Sequence, residues 1–206
     1  MKYLACKIVV ATALVSGLNA CIPLVLGSAA LGTALVATDR RTSGAQLEDE
    51  GIELRSSNRL VDALRDRGHL NVTSYNRQVL LTGEVPTEQD RVLAEQVVSR
   101  VDNVRSVVNE IGVMGNSTLT QRSSDTLVTG QVKAALIDSK DLYPTAFKVV
   151  TERGIVYLMG RVTQREATRA TDVVRGVSGV QKVVRVFETI SEEELQKLLP
   201  TPRQTN

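Results

Sequence analysis

A long internal repeat limits the folds open to this chain more than any other feature. Residues 71–85 return as residues 148–162, so that Gly83 in the first copy is matched by Gly160 in the second. A second block, residues 101–108, returns as residues 177–184. The matched apolar positions are Val72, Val79, Leu81 and Val85 in one copy and Val149, Val156, Leu158 and Val162 in the other. A repeat of this length predicts two copies of one small folding unit.

The N-terminus has the features of a secretory signal. Lys2 and Lys7 precede an apolar run over residues 8–18, which is too short to span a membrane as a helix. Leu18, Ala20 and Cys21 resemble a bacterial lipobox, in which the cysteine is acylated and becomes the mature N-terminus. Residues 1–20 are therefore predicted to be a lipoprotein signal peptide, and Cys21 the lipidation site. The alternative is an ordinary cysteine in an uncleaved apolar segment.

The residues around Cys21 also predict a location. Cys6 lies in the removable segment, so the mature chain keeps one cysteine and forms no internal disulfide. Ile22 stands where an aspartate would hold a lipoprotein at the inner membrane, and similarity to other lipoproteins implies the outer membrane, facing the periplasm. Several acyl chains would anchor the protein firmly.

Periodicity divides the mature chain into two domains with short connections. Residues 21–51 are predicted to be a lipidated N-terminus and linker, residues 52–113 the first domain, and residues 114–123 a second linker. Residues 124–190 form the second domain, and residues 191–206 a tail with a short helix and a flexible end. Each domain is predicted to run helix, strand, strand, helix, strand.

Local motifs mark where these elements begin and end. In the first copy the helix from Ile52 ends near Gly68, strands cover residues 69–75, 79–85 and 104–113, and Thr87 starts the second helix. Thr163 and Glu166 form a capping box in the second copy. Asn103 and Gly179 suit the left-handed backbone at a helix end. Gly83 and Gly160, inside strands, are expected to allow close packing of a helix.

The spacing of valine, leucine and glycine in both copies resembles the BON domain, a periplasmic αββαβ module. With the lipobox and residues 38–46, the mature chain up to about Ile190 resembles the outer-membrane lipoproteins with two BON domains. The resemblance implies an α+β fold of two tandem BON domains, each with helices packed on a small three-stranded mixed sheet.

Few residues suggest chemistry. His69 is the only histidine, so no metal site built on a histidine pair is expected, and it is read as a surface or strand-edge residue. Glu48, Asp49 and Glu50 lack the alternating spacing of a calcium loop and are interpreted as a solvated face. We expect no enzyme activity, no cofactor and no metal. A net charge of +2 and 3% aromatic residues argue against nucleic-acid binding.

The first helix of the second copy has two apolar faces. At about 100° per residue, Val128, Val132, Ala135 and Leu136 form the face expected in the core. Leu127, Gly130, Ala134 and Ile137 form another, flanked by Lys133 and Lys140. Cations beside exposed apolar groups are typical of a surface that meets anionic lipid. The alternative is that this face packs against the other copy.

The family resemblance favours lipid, because such lipoproteins use this helix to engage phosphatidylglycerol and cardiolipin. The residues carried over by position are Asp125, Leu127, Val128, Gly130, Gln131, Lys133, Ala134 and Ile137. Members of the family can have a tryptophan where this chain has Leu127, which lacks the interfacial preference of an indole. The first copy's helix is expected to have a mixed polar exterior without such a stripe.

The resemblance implies a monomeric, non-enzymatic protein that supports outer-membrane integrity and is enriched at the division site. Two other functions stay open on the residues. One is a protein-interaction module that docks outer-membrane assembly machinery or septal factors, and the other is a chaperone-like protein of osmotic stress.

Overall fold

The computed structural model describes residues 39–198, so Cys21 and the predicted signal peptide lie outside the described part. The first half contains helix α1 (Ser43–Leu64), strands β1 (His69–Tyr75) and β2 (Gln78–Val85), helix α2 (Glu88–Ser99) and strands β3 (Ser106–Asn109) and β4 (Gly112–Val113). The second half contains α3 (Leu119–Asp138), β5 (Lys148–Glu152), β6 (Ile155–Val162), α4 (Gln164–Arg175) and β7 (Lys182–Thr189), and α5 (Glu192–Leu198) follows. The predicted order αββαβ is confirmed in both copies.

Each half builds the same small mixed sheet. β2 is antiparallel to β1 and parallel to β3 and β4, and β6 is antiparallel to β5 and parallel to β7. The long strand predicted over residues 104–113 is interrupted in the first half. Glu110 and Ile111 separate β3 from β4, and Ile111 turns its side chain into the core. The α+β prediction of helices on small mixed sheets is confirmed.

The two helices of each half cover one face of its sheet. The first core joins Ile52, Leu60 and Leu64 of α1 to Val79 and Leu81 of β2. The second core is built from the matching elements: Val128, Val132 and Leu136 of α3, Val156 and Leu158 of β6, and Ala170 and Val174 of α4. Leu54 and Val61, two further apolar residues of α1, are exposed.

The opposite faces of the two sheets pack against each other. Leu80 of β2 and Tyr157 and Met159 of β6 are at most 3% exposed and belong to one apolar cluster with Tyr75 and Val186. Lys148 adds a contact at the edge, since its ammonium lies 2.6 Å from a carboxylate oxygen of Glu53. The halves therefore share a third apolar layer between their sheets.

Helix α1 begins at Ser43, well before its predicted start at Ile52, so residues 43–51 of the expected linker are helical. Thr42 caps this helix, and its hydroxyl accepts the Ala45 N–H at 3.1 Å. Asp49 is buried, although its polar neighbours suggested a solvated segment. The α3 helix likewise takes up residues 119–123 of the second predicted linker. The start of α1 was hidden because the Asp49 carboxylate accepts its hydrogen bonds from β1 and from the turn after it.

Both strand glycines meet neighbouring backbone, Gly83 that of β1 and Gly160 that of a short 3-10 helix, Pro144–Ala146, which precedes β5. A Cβ atom at Gly83 would lie 2.0 Å from the carbonyl oxygen of His69, and one at Gly160 would lie 2.3 Å from that of Ala146. The expectation of close helix packing is therefore wrong for Gly83, whereas Gly160 does allow a short 3-10 helix to approach. Asn103 and Gly179 do adopt the positive φ angles that the sequence predicted, 69° and 86°.

Candidate functional site

Helix α3 carries the predicted site, and the structure divides the site residues between its two sides. Leu127 and Ile137 are 70% and 66% exposed, and Gly130, Gln131, Lys133 and Ala134 also lie on the accessible side. Asp125 and Val128 are buried, at 5% and 6% exposure, so they do not belong to the outward surface. Six of the eight predicted residues therefore lie where a ligand of the helix could touch them.

Asp125 holds the helix to its own sheet. Its carboxylate accepts hydrogen bonds from the backbone N–H groups of Arg153 and Gly154, each at 2.8 Å. These two residues form the turn between β5 and β6, where both φ angles are positive. Hydrogen bonding of this kind satisfies the buried carboxylate and fixes the turn. Both carboxylate oxygens of Asp125 are thus engaged inside the domain, and its place in the structure is that of a buried support for the turn.

The first domain contains an equivalent buried aspartate that binds the turn between its first two strands. Asp49, which stands at the matching position of the first copy, accepts the N–H groups of Asn76 and Arg77 at the β1–β2 turn, at 2.7 and 2.8 Å. Burial alone would raise the pKa of Asp49. The hydrogen bonds from Arg77, Ser74, Arg41 and Asn76 outweigh it and hold the pKa below its usual value.

The outward apolar residues of α3 lie along one side of the helix. Leu119, which is 79% exposed, lies on the same side as Ile137, because their spacing corresponds to a whole number of helical turns. We name the stripe of Leu119, Leu127, Gly130, Ala134 and Ile137 the α3 outer face. Helix geometry gives it a length of about 27 Å. Sequence reasoning missed Leu119 because a polar segment separates it from the other members.

Lys133 is the cation nearest to the end of this stripe, one turn before Ile137. Lys140 follows just after the helix ends, and both lysines are exposed. No described side chain covers Leu127 or Ile137, which answers the alternative that this face packs against the other copy. The face is available to an external partner.

Helix α1 also carries an exposed apolar stripe, contrary to the expectation of a mixed polar exterior. Leu47, Leu54 and Val61 are 71%, 64% and 65% exposed and recur at a heptad spacing, which places them on one side. We name them the α1 outer face. What distinguishes the two faces is charge: α1 contains five acidic residues and two arginines, whereas α3 contains two acidic residues, one arginine and one lysine.

Within residues 39–198, no helix is both long enough and apolar enough to cross a membrane.

Comparison with known proteins places the chain among relatives of similar length. The BON domain model matches residues 48–115 and 124–190. The outer membrane lipoprotein DolP of Haemophilus influenzae is 38% identical over 173 residues, covering 83% of this chain and 89% of that protein. The 21 kDa hemolysin of Actinobacillus pleuropneumoniae is 34% identical, covering 74% and 79%, and the osmotically-inducible protein Y of Escherichia coli is 28% identical, covering 71% and 75%.

Proposed function

The chain belongs to the BON-domain family, and from this premise we propose that it is a non-enzymatic, lipid-anchored protein of the outer membrane that binds anionic phospholipid through the α3 outer face. The observation that carries the proposal is the exposed apolar stripe beside Lys133 and Lys140. Leucine and isoleucine side chains would enter the acyl boundary while the ammonium groups meet lipid phosphates. Phosphatidylglycerol and cardiolipin are the ligands we propose.

The proposal also includes acylation of Cys21 and a location at the periplasmic side of the outer membrane. The likeness to an outer membrane lipoprotein over 89% of its length supports this location. Cys21→Ala should abolish incorporation of labelled palmitate and release the protein from the outer-membrane fraction. Labelled Cys21→Ala protein in that fraction would contradict the anchor. Support of outer-membrane integrity and enrichment at the division site follow as roles for such a protein.

Vesicle binding by the unacylated chain, residues 22–206, tests the lipid site. Leu127→Glu should weaken flotation with phosphatidylglycerol vesicles by roughly ten- to a hundredfold, because about 1.5–3 kcal/mol of side-chain burial is lost and a repelling charge is added. Lys133→Ala should weaken binding by about 1 kcal/mol, an effect that added salt diminishes.

The α1 outer face supplies the matched control. Leu54→Glu places the same charge on a leucine of similar exposure, 64% against 70%, but on the acidic helix. Its flotation should equal that of the unaltered chain. If Leu127→Glu binds vesicles normally, or if Leu54→Glu is equally defective, the α3 outer face is better assigned to a protein partner such as outer-membrane assembly machinery.

A further inference from the structure

A histidine and two carboxylates meet at one end of the layer between the sheets. His69 begins β1 and is paired across the ladder with Glu84 of β2, while Glu152 ends β5 of the other domain. One ligand atom from each of the three lies within 4.8 Å of the others. Glu84 is fully buried and Glu152 is 8% exposed. The cluster therefore joins both domains and was missed in the sequence, where His69 was read as a surface residue.

The hydrogen bonds around the cluster hold the carboxylates but leave the imidazole without a partner. Arg153 Nε donates to Glu84 Oε1 at 2.5 Å, and Asn71 Nδ2 donates to Glu152 Oε2 at 3.0 Å. Glu84 Oε2 accepts longer hydrogen bonds from the backbone N–H and the hydroxyl of Ser117, at 3.2 and 3.3 Å. His69 Nδ1 is buried and makes no hydrogen bond to any described residue, although it lies 3.6 Å from Glu84 Oε2. A buried polar atom normally has a partner, so this nitrogen points to one that residues 39–198 do not supply.

The charge around the cluster favours a cation, and a cleft beside the cluster gives a cation access to it. Asp125 adds a third carboxylate to the same region, and a cleft of about 230 Å³ is lined by it together with His69, Asn71, Arg122 and Glu152. Arg153 already offsets Glu84, which leaves the Glu152 carboxylate as the uncompensated charge of the cluster. An ion can therefore enter from the cleft and meet both charge and an unpartnered nitrogen.

We propose that His69, Glu84 and Glu152 form a Zn²⁺ site that links the two domains. Imidazole and carboxylate ligands suit zinc, whereas calcium and magnesium select oxygen ligands alone. A tetrahedral zinc ion sets its ligand atoms ~3.3 Å apart, so small side-chain rotations close the site and water takes the fourth position. Asn71 and Arg153 would orient the two carboxylates from the second layer of contacts. The site is independent of the α3 outer face.

Titration of the full-length lipidated chain in detergent micelles, stripped of metal with a chelator, tests the proposal. Isothermal calorimetry should give one zinc ion per chain, and zinc should raise the melting temperature. His69→Gln and Glu152→Gln should each weaken zinc binding by at least about tenfold. Glu88→Gln, which alters an exposed carboxylate on α2 paired with Arg91, should bind zinc as the unaltered chain does.

The variants are compared first in chelator, where equal melting temperatures show that the fold is intact. If a variant melts early in chelator, the unaltered chain is studied by Co²⁺ spectroscopy instead. Tetrahedral coordination of Co²⁺ gives intense visible bands. Absence of saturable zinc binding, unchanged binding by both folded variants, or octahedral cobalt spectra would overturn the proposal. A melting temperature that does not rise with added zinc would also overturn it.

Discussion

At the scale of single residues, Gly160 lies where the backbone of β6 comes close to the backbone of Ala146. Gly160→Ala should lower the free energy of unfolding by about 1–3 kcal/mol, because its Cβ would lie 2.3 Å from the carbonyl oxygen of Ala146. Urea denaturation measures the loss. Gly115→Ala is the control, since a Cβ there meets nothing within 4 Å. Equal stability of the two variants would contradict the steric argument.

Arg40 forms a buried ion pair that ties the segment before α1 to the second domain. Its guanidinium donates two hydrogen bonds to the Glu166 carboxylate, at 2.6 and 2.7 Å, and a third to the Arg161 carbonyl at 2.8 Å. Burial alone would raise the pKa of Glu166. The hydrogen bonds from Arg40 and Thr163 and the charge of Arg40 outweigh it and lower the pKa below 4.5.

This lowered pKa predicts a pH dependence of stability. The Arg40–Glu166 pair stabilises the fold above pH 4.5, and the contribution is lost as the pH falls through the pKa of the folded state. Glu166→Gln should therefore lower the free energy of unfolding by about 3–5 kcal/mol at neutral pH, with a smaller difference in acid. Urea denaturation across this pH range checks it. A difference that stays constant with pH would contradict the assignment.

At the scale of elements, α3 holds a glycine at a position where the fold does not require one. Gly130→Ala should raise the free energy of unfolding by about 0.5–1 kcal/mol, because alanine loses less backbone entropy in a helix and a Cβ there meets nothing within 4 Å. Thermal melting at matched concentration measures the gain. Unchanged or lower stability would show that Gly130 serves packing that the described residues do not include.

Some helix and strand boundaries could be predicted from the sequence, and others could not. β1 was predicted to the residue, because alternating side chains end at Asn76 and Arg77, whose φ angles are 50° and 66°. The start of α1 was missed because Asp49 reads as solvated until its contacts with the turn are seen. The repeat could have indicated that Asp49 is buried. Asp49 and Asp125 occupy matching positions of the two copies, and a carboxylate kept in both indicates a structural role. The exposure of Leu54 and Val61 could not be predicted, because either side of α1 offers enough apolar residues for a core.

At the scale of the whole molecule, the sheet-to-sheet layer makes each domain depend on the other. Residues 115–198 expressed alone should self-associate in size-exclusion chromatography, because Tyr157, Met159 and Val186 would lose their cover. Replacing Tyr157 and Met159 together with threonine should restore a monomer, since threonine suits an exposed strand. If the unaltered fragment were monomeric, the apolar layer between the sheets would contribute little to holding the two domains together.

The contact between the sheets joins equivalent positions: Leu80 and Tyr157, which match each other in the repeat, enter the same apolar cluster. Two free copies of one domain would meet through such a patch as a symmetric dimer, and their pairing would depend on protein concentration. Covalent connection raises the effective concentration of each patch for the other to about millimolar. The pair therefore stays closed however sparsely the protein is spread over a membrane, and neither patch is left to recruit another molecule.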